Sequence, residues 1–242
     1  MSEILPWGLE SRTAFVLVDC NSFYASCEAL FEPRLWRQPL AVLYNNDGTV
    51  VALNAAAKAI GVSKFQPFFE IRHLMESAGL RVRSSNFELH GDVSRRICEV
   101  LEMFGDCERY SIDECFLELP EIGAGNLLIH LETIKLAVAR WVGVPVSLGE
   151  GRTKTLAKAA TWVAKKELPS LGIFALQTLE QEEAILGRLP VGEVWGLGPR
   201  WAKRLTERGF DTALALRELP DGVAKKLTSV VGVRTVLESC GG

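Results

Sequence analysis

Short apolar runs that end in acidic residues constrain this 242-residue chain more than any other feature. The run AFVLV, residues 14–18, predicts a buried strand that ends at Asp19. About ninety residues later, YSIDECFLEL at 110–119 places Asp113 and Glu114 side by side among residues that favour a half-buried strand. Because unpaired carboxylates are costly to bury, the fold must give these acids water or a partner. If the two strands are neighbours in one sheet, three carboxylates meet at its edge.

Three carboxylates at one edge have a specific chemical use. Close like charges repel and raise one another's pKa values, and divalent cations such as Mg²⁺ remove that conflict. Two such ions can clamp the attacking and leaving oxygens of a phosphoryl transfer. The alternative is a solvated turn, which is the commoner setting of an Asp-Glu pair at a strand end.

The remaining patterns predict a mixed α/β protein with helices inserted early in the chain. Helices are expected at 21–31, capped by Asn21 or Ser22, at 54–61, at 87–105 and at 153–166, capped by Thr153. A further helix is expected from apolar positions 127, 128, 131, 134, 138 and 141. Strands are expected at 39–44, 49–53 and 144–149, and 107–113 and 114–119 are expected to form two strands or one bent strand. A boundary is expected near residue 170.

Composition excludes several classes of protein. Hydrophobic residues make up 48% of the chain, enough for one large domain or two small ones. We expect no membrane-spanning segment and no secretory signal, because neither apolar pattern is present. The six cysteines are scattered without CxxC spacing, which favours reduced thiols in the cytoplasm over a zinc site or disulfides. From residue 151 onward, 14 basic residues face 10 acidic ones, which suits contact with phosphates.

Several stretches together resemble the Y-family translesion DNA polymerases, most closely their UmuC-like group. The resemblance runs from about residue 13 to the end, in order and at the family's spacing. It is carried by the stretches VDCNSFYASCEALFEPRLWRQPLAVLYNNDGTVVALNAAAKAIGV, SSNFELHGDVSRR, YSIDECFLEL and TKTLAKAATWVAKK.

The resemblance implies a fold and an activity. The fold would be α/β (α+β), with a ferredoxin-like palm at 1–22 and 82–170, inserted fingers at 23–81, and a small helical thumb at 171–242. A helix-hairpin-helix would lie in the thumb at about 192–208. The activity would be template-directed DNA nucleotidyl transfer in translesion synthesis during the SOS response. The family's little-finger domain and clamp-binding peptide are absent from this sequence, so we expect a weak polymerase at physiological salt.

The resemblance also implies site residues. Two Mg²⁺ ions would be held by Asp19, Asp113 and Glu114, with the Cys20 carbonyl as a possible further ligand. The nucleotide would meet Phe23, Tyr24, Lys58 and Lys165, with Tyr24 as the steric gate against ribose. Primer-template DNA would meet Lys154, Lys158, Gly196, Gly198, Lys203 and Arg204.

Each of these assignments has a plainer alternative. Phe23 and Tyr24 can be core aromatics at a helix start, and the lysines can be solvated helix residues. The segment VWGLGPRWAKRL can be an ordinary glycine-containing turn between helices. Several positions depart from the family pattern. Leu53 and Ala56 stand where UmuC-like chains usually carry polar or charged residues. Glu150 stands where relatives carry an apolar residue, and a carboxylate on a core strand is expected to weaken the palm.

Implied partners are primer-template DNA and a deoxynucleoside triphosphate and, for UmuC-like proteins, a UmuD dimer, a RecA filament and the sliding clamp. Two other functions remain open. The chain can be a catalytically silent DNA-binding or scaffold protein of the same fold. It can also be another two-metal enzyme of palm type, such as a nucleotide cyclase, although the hairpin motif and the Tyr24 gate have no use there.

Overall fold

A computed structural model describes residues 14–119 and 124–219 of the chain. Residues 1–13 of the expected palm and 220–242 of the expected thumb lie outside the described residues. The strands are β1 Ala14–Cys20, β2 Leu40–Leu43, β3 Val50–Leu53, β4 Arg81–Ser84, β5 Asp106–Arg109, β6 Glu114–Leu119, β7 Val146–Gly151 and β8 Ile173–Ala175. The α-helices are α1 Phe23–Phe31, α2 Ala55–Ala59, α3 Phe68–Ile71, α4 Leu74–Ser77, α5 Phe87–Leu101, α6 Ala124–Trp141, α7 Lys154–Lys166, α8 Leu179–Leu186, α9 Pro199–Thr206 and α10 Ala213–Arg217.

A five-stranded main sheet has the order β5-β6-β1-β7-β8. Strand β1 lies in its centre and pairs antiparallel with both β6 and β7, and β8 adds to β7 in parallel. In chain order, β1, α5, β5, β6, α6 and β7 form the βαββαβ arrangement of a ferredoxin-like fold. The predicted fold class is therefore confirmed.

The two faces of the main sheet are covered by different helices. Because side chains alternate along a strand, Val16 and Val18 of β1 face the core formed with α5 and α6. Leu17 lies on the opposite face and packs with Phe116 and Ala157, the latter on α7. Asp19 shares the face of Leu17, so the strand pattern directs its carboxylate to the α7 side of the sheet.

A separate three-stranded sheet has the order β3-β2-β4. Strands β2 and β3 are antiparallel around the turn at 44–49, as the sequence predicts, whereas β4 joins β2 in parallel. The Asn54 side chain links this sheet to α2, since its Oδ1 accepts hydrogen bonds from the backbone N–H groups of Leu40 at 3.1 Å and Ala57 at 2.9 Å. The predicted short helix therefore begins at a capping residue.

Strand pairing locates the changes between sheets. Strand β4 belongs to the small sheet and β8 to the main sheet, so the transitions follow Ser84 and Ala175. The predicted domain boundaries at 81/82 and 170/171 fall a few residues earlier and stay predictions. Beyond β8, helices α8, α9 and α10 pack around a second apolar core, which they share with Leu156, Ala159, Ala160 and Val163 of α7.

The predicted hairpin motif is only partly helical. Gly196 takes a left-handed backbone conformation at φ +80°, which glycine adopts without strain, and α9 starts one residue after Gly198. The segment before the turn is a single 3₁₀ turn at Val191–Glu193. The first helix of the expected helix-hairpin-helix is thus short.

Two local predictions hold only in part. Ser22 is the N-cap residue of α1, as predicted, but it sits at φ 49° in the left-handed region and its side chain makes no capping hydrogen bond. On α6, Leu127, Leu131, Ile134 and Val138 are buried, but Leu128 and Trp141 are about half exposed. The buried face follows the 4-3-4 spacing, Leu128 lies beside it, and Trp141 is the last residue of the helix.

Among the described residues, the helices include none with the length and apolar character required to cross a bilayer.

Candidate active site

The predicted carboxylates meet at the edge of β1 and β6. Asp19 and Glu114 stand directly opposite each other in the antiparallel register. The Cys20 backbone N–H donates to the Asp113 carbonyl oxygen at 2.8 Å, which fixes the residue beside Glu114 against the end of β1. The Asp113 side chain accepts a hydrogen bond from the Ser111 hydroxyl at 2.9 Å. Strand pairing across about ninety-five residues of chain therefore brings three acids together.

Two lysines of α7 neutralise two of these acids. Lys165 pairs with Asp19, and the Lys158 ammonium contacts both Glu114 carboxylate oxygens at 2.9 and 3.0 Å. The two lysines are seven residues apart and so lie on one face of the helix. The sequence assigned Lys165 to the nucleotide and Lys158 to DNA, whereas in the structure both hold carboxylates.

Burial dominates the electrostatics of Asp19. It raises the pKa of the carboxyl from 3.8 to about 6, with smaller contributions from the negative charges of Glu114 and Asp113. The ion pair with Lys165 opposes the rise. A cation that binds here would therefore favour the ionised acid.

Lys158 is also enclosed by three aromatic rings. Its ammonium lies 4.8 Å from the ring centre of Tyr110, 5.9 Å from that of Phe116 and 5.4 Å from that of Trp195. The Trp195 indole N–H donates to the Tyr110 hydroxyl at 2.8 Å. Through these contacts, the start of the C-terminal helical part touches the strand that carries Glu114.

A cleft of about 670 Å³ opens between the main and small sheets at this point. Its lining comes from both sheets and comprises Asp19, Cys20, Ser22, Phe23, Tyr24, Tyr44, Val51, Ala52, Leu53, Lys58, Lys64, Phe87, Ile112, Asp113, Glu114 and Lys165. Every residue that the sequence assigned to metal or nucleotide is in this set. Sequence reasoning missed Lys64, Tyr44 and Phe87, because they come from loops and helix starts without a recognisable spacing.

The two aromatics at the start of α1 have different environments. Phe23 is buried in the main core, whereas Tyr24 is half-buried at the cleft. The Tyr24 ring stacks on His90 of α5 with 4.2 Å between ring centres and 10° between the planes. His90 is fully buried, and its Nε2 lies 3.4 Å from the Glu28 carboxylate. The Tyr24 ring therefore packs on a buried side chain, which holds it in position at the cleft.

Of the predicted DNA contacts, Lys158 lies beside the carboxylates and the others lie away from them. Lys154 is the first residue of α7 and pairs with Glu108 of β5. Lys203 is 79% exposed on α9, and the Arg204 guanidinium stacks over Trp201 at 5.0 Å. Lys203 and Arg204, together with the turn at Gly196 and Gly198, form a basic segment that does not line the cleft. The structure brings the metal and nucleotide candidates together but not these residues.

The donor set fits hard divalent cations. Asp19, Asp113 and Glu114 offer only carboxylate oxygens, which Mg²⁺ prefers, and the Asp19 pKa is raised by burial and like charge. Lys165 and Lys158 supply the balancing positive charge in the described structure.

Comparison with known proteins yields consistent relatives. The family described as impB/mucB/samB matches residues 18–162. Protein ImpB of Salmonella typhimurium is 41% identical over 93% of this chain, and protein UmuC of Salmonella typhimurium strain LT2 is 39% identical over the same share. Both alignments cover 54% of the relative, so the chain spans about half the length of the curated relatives it matches.

Solved structures give the same picture of the fold. An insertion ternary complex of Dbh DNA polymerase superposes with a TM-score of 0.80 at 24% identity, covering 93% of this chain and 66% of that one. The predicted kinship with UmuC-like Y-family proteins is confirmed.

Proposed function

The chain belongs to the impB/mucB/samB family, and from that premise we propose that it adds deoxynucleotides to a primer 3′ end under the direction of a DNA template. The observation that carries the proposal is the convergence of Asp19, Asp113 and Glu114 on a cleft that also holds Tyr24 and Lys58. The biological setting would be translesion synthesis in the response to DNA damage, in the cytoplasm, where the five described free cysteines stay reduced.

The carboxylates would hold two Mg²⁺ ions, with the Cys20 carbonyl as a further ligand. The ions would activate the primer hydroxyl and stabilise the leaving pyrophosphate. The protein's own residues would position the reactants. Lys58 and Lys64 follow β3 of the small sheet and line the same cleft as the carboxylates, so they suit the triphosphate, while Lys165 keeps Asp19 charged.

Tyr24 would discriminate between sugars. Its ring faces the cleft and is braced by the stack on His90, so a 2′-hydroxyl at this position would meet a rigid aromatic surface. Phe23 is buried in the core, so its contribution would come from its backbone at the start of α1.

Primer-template DNA would contact the basic turn and α9. Gly196 and Gly198 form the turn before α9, and Gly198 caps this helix without a side-chain hydrogen bond, so the helix start would receive a phosphate and Lys203 and Arg204 would add positive charge. Lys154 and Lys158 would contribute along α7. In the family's terms, the main sheet would be the palm, the small sheet the fingers and the C-terminal helices the thumb. Kinship with UmuC extends the proposal to a UmuD dimer, a RecA filament and the sliding clamp as partners.

The test is a single-turnover primer-extension assay with Mg²⁺, low salt and one deoxynucleotide. The native chain is expected to add the templated nucleotide, and the double variant Asp113→Ala/Glu114→Ala is expected to lose the activity by roughly a hundredfold or more. Glu118→Ala is the matched control, because Glu118 is an exposed acid near the opposite end of the same strand, β6, away from the cleft.

A second function is favoured by the two ion pairs. Because Lys165 and Lys158 already neutralise Asp19 and Glu114, the cleft can be electrostatically satisfied without metal, as a silent DNA-binding protein requires. If the native chain binds primer-template DNA but adds nothing, and deoxynucleotide binding does not depend on Mg²⁺, this second function is correct. Conversion of a nucleoside triphosphate without template would instead identify a cyclase.

A further inference from the structure

Three cysteines from three different elements converge behind the candidate active site. Cys98 of α5, Cys107 of β5 and Cys115 of β6 place their sulfur atoms within 4.8 Å of one another. The Cys98 and Cys115 sulfurs are 3.3 Å apart. The sequence predicts scattered reduced thiols, since no two cysteines fall at CxxC spacing. The cluster arises only when α5 packs on the β5–β6 hairpin.

The strand register explains the convergence. Cys115 lies opposite Arg109, and Cys107 lies opposite Leu117, so both cysteines point to the side of the sheet that packs on α5. Cys98 on α5 completes the triangle. Glu114 precedes Cys115 and therefore points to the other face, toward α7. The thiols and the carboxylates are thus separate groups on opposite faces of one sheet.

The size of the triangle suits one metal ion. Thiolates bind soft metals at about 2.3 Å, so three sulfurs around one ion stand roughly 4 Å apart. The Cys98–Cys115 separation is 3.3 Å and all three pairs lie within 4.8 Å, so these two limits bracket that value. Cys115 is buried, while Cys98 and Cys107 are part-exposed and give access from solvent.

The surroundings supply charge balance and a hydrophobic wall. Arg109 stands directly across from Cys115 and places a positive charge near a site that would carry three thiolates. Leu117 and Leu101 of the apolar core line the same region, and Glu102 adds one negative charge near Cys107. Hard cations such as Mg²⁺ prefer oxygen ligands and would not compete for sulfur.

We propose that Cys98, Cys107 and Cys115 form a binding site for one soft, thiophilic metal ion. Binding a divalent ion forms three metal–sulfur bonds and releases three thiol protons to water, with no change of oxidation state. The fourth coordination position is open to water. The bound ion links α5 to the β5–β6 hairpin, which carries Asp113 and Glu114. It therefore restricts the motion of this hairpin on the face opposite the carboxylates.

The test titrates the full chain with Cd²⁺ under metal-free reducing conditions and follows cadmium–thiolate absorption in the ultraviolet. The signal is expected to saturate at one ion per chain and to persist in excess Mg²⁺. Cys98→Ser and Cys107→Ser are expected to lose it. Cys27→Ser removes a buried thiol on α1, and Cys240→Ser removes the thiol near the C-terminus, so both controls are expected to keep it.

Circular dichroism establishes that each variant is folded. The proposal is overturned if the native chain gives no cadmium–thiolate signal, or if the signal survives in Cys98→Ser and Cys107→Ser. It is also overturned if the signal disappears in either control. Recovery of a Cys98–Cys115 disulfide by mass spectrometry, with no metal bound after reduction, would identify an oxidisable thiol pair in place of a metal site.

Discussion

The carboxyl group of Glu150 is buried in the main sheet, where its ionised form is unfavourable. Glu150 on β7 is only 6% exposed, and among the described residues its Oε2 has no hydrogen-bond partner. Burial, with a smaller contribution from the nearby charge of Glu182, raises the pKa of its carboxyl to about 8. At neutral pH the folded protein therefore holds Glu150 mainly in the protonated form, whereas the unfolded chain ionises it near 4.5.

We expect Glu150→Gln to stabilise the protein more at pH 8 than at pH 5. Because the folded-state pKa is raised, native Glu150 costs stability as pH rises from the unfolded value toward 8, where the unfolded state holds fewer protons. The neutral amide removes that cost, so the gain in unfolding free energy should grow by about 2–4 kcal/mol between the two pH values. Urea denaturation at both pH values measures it.

The exposed Glu118 on β6 provides the comparison. Glu118→Gln should change the unfolding free energy little and by similar amounts at pH 5 and pH 8. An equal gain for Glu150→Gln at the two pH values would mean that the buried carboxyl does not titrate as described.

At this scale the sequence predicted the acids but not their partners. Asp19, Asp113 and Glu114 could be found because acids interrupt strand-like runs. The pairing of Lys158 with Glu114 could not, because it depends on how α7 crosses the sheet. The cysteine triangle was missed for the same reason, since the distance between three sulfurs depends on tertiary packing and not on spacing.

At the scale of elements, β7 and α7 approach each other unusually closely. A Cβ atom on Gly149 would lie 2.1 Å from the Thr161 backbone nitrogen and 2.5 Å from the Ala157 carbonyl oxygen. This close contact places the α7 lysines over the carboxylates. The sequence predicted β7 and the Thr153 cap of α7 correctly, but it missed β8, which is only three residues long.

We expect Gly149→Ala to destabilise the protein strongly and Gly91→Ala to stabilise it slightly. The methyl group at 149 would collide with backbone atoms that cannot move independently, at a cost of about 3 kcal/mol or more. Gly91 lies inside α5 with nothing within 4 Å of an added Cβ, so alanine should gain roughly 0.5–1 kcal/mol from helix propensity. Thermal unfolding of both variants measures the difference, and equal effects would show that β7 and α7 can separate at low cost.

At the scale of the whole molecule, Trp195 joins the C-terminal helices to the main sheet. Its indole contacts Tyr110, Phe116 and the Lys158 ammonium, and Lys158 in turn holds Glu114. One aromatic side chain therefore connects the basic turn before α9 to the carboxylates. Local patterns predicted the elements on both sides of this contact, but no pattern indicated the contact itself.

We expect Trp195→Ala to loosen the C-terminal helices without unfolding the main sheet. Loss of the ring removes the hydrogen bond to Tyr110 and one wall of the Lys158 enclosure, so amide hydrogen exchange in α9 and α10 should accelerate by about tenfold or more. Exchange in β1, β6 and β7 should stay slow. Trp141→Ala removes an indole that is 56% exposed and should leave both regions unchanged. Uniform acceleration across the sheet would contradict this separation.

The central position of β1 has a consequence for synthesis of the protein on the ribosome. Both of its neighbours, β6 and β7, come about ninety-five residues or more later in the chain. At roughly 5–20 residues per second, the apolar strand AFVLV waits about 5–20 s before a pairing partner exists. During that interval its unsatisfied backbone is open to other nascent chains, so the yield of folded protein should depend on chaperones and on the rate of translation through residues 20–114.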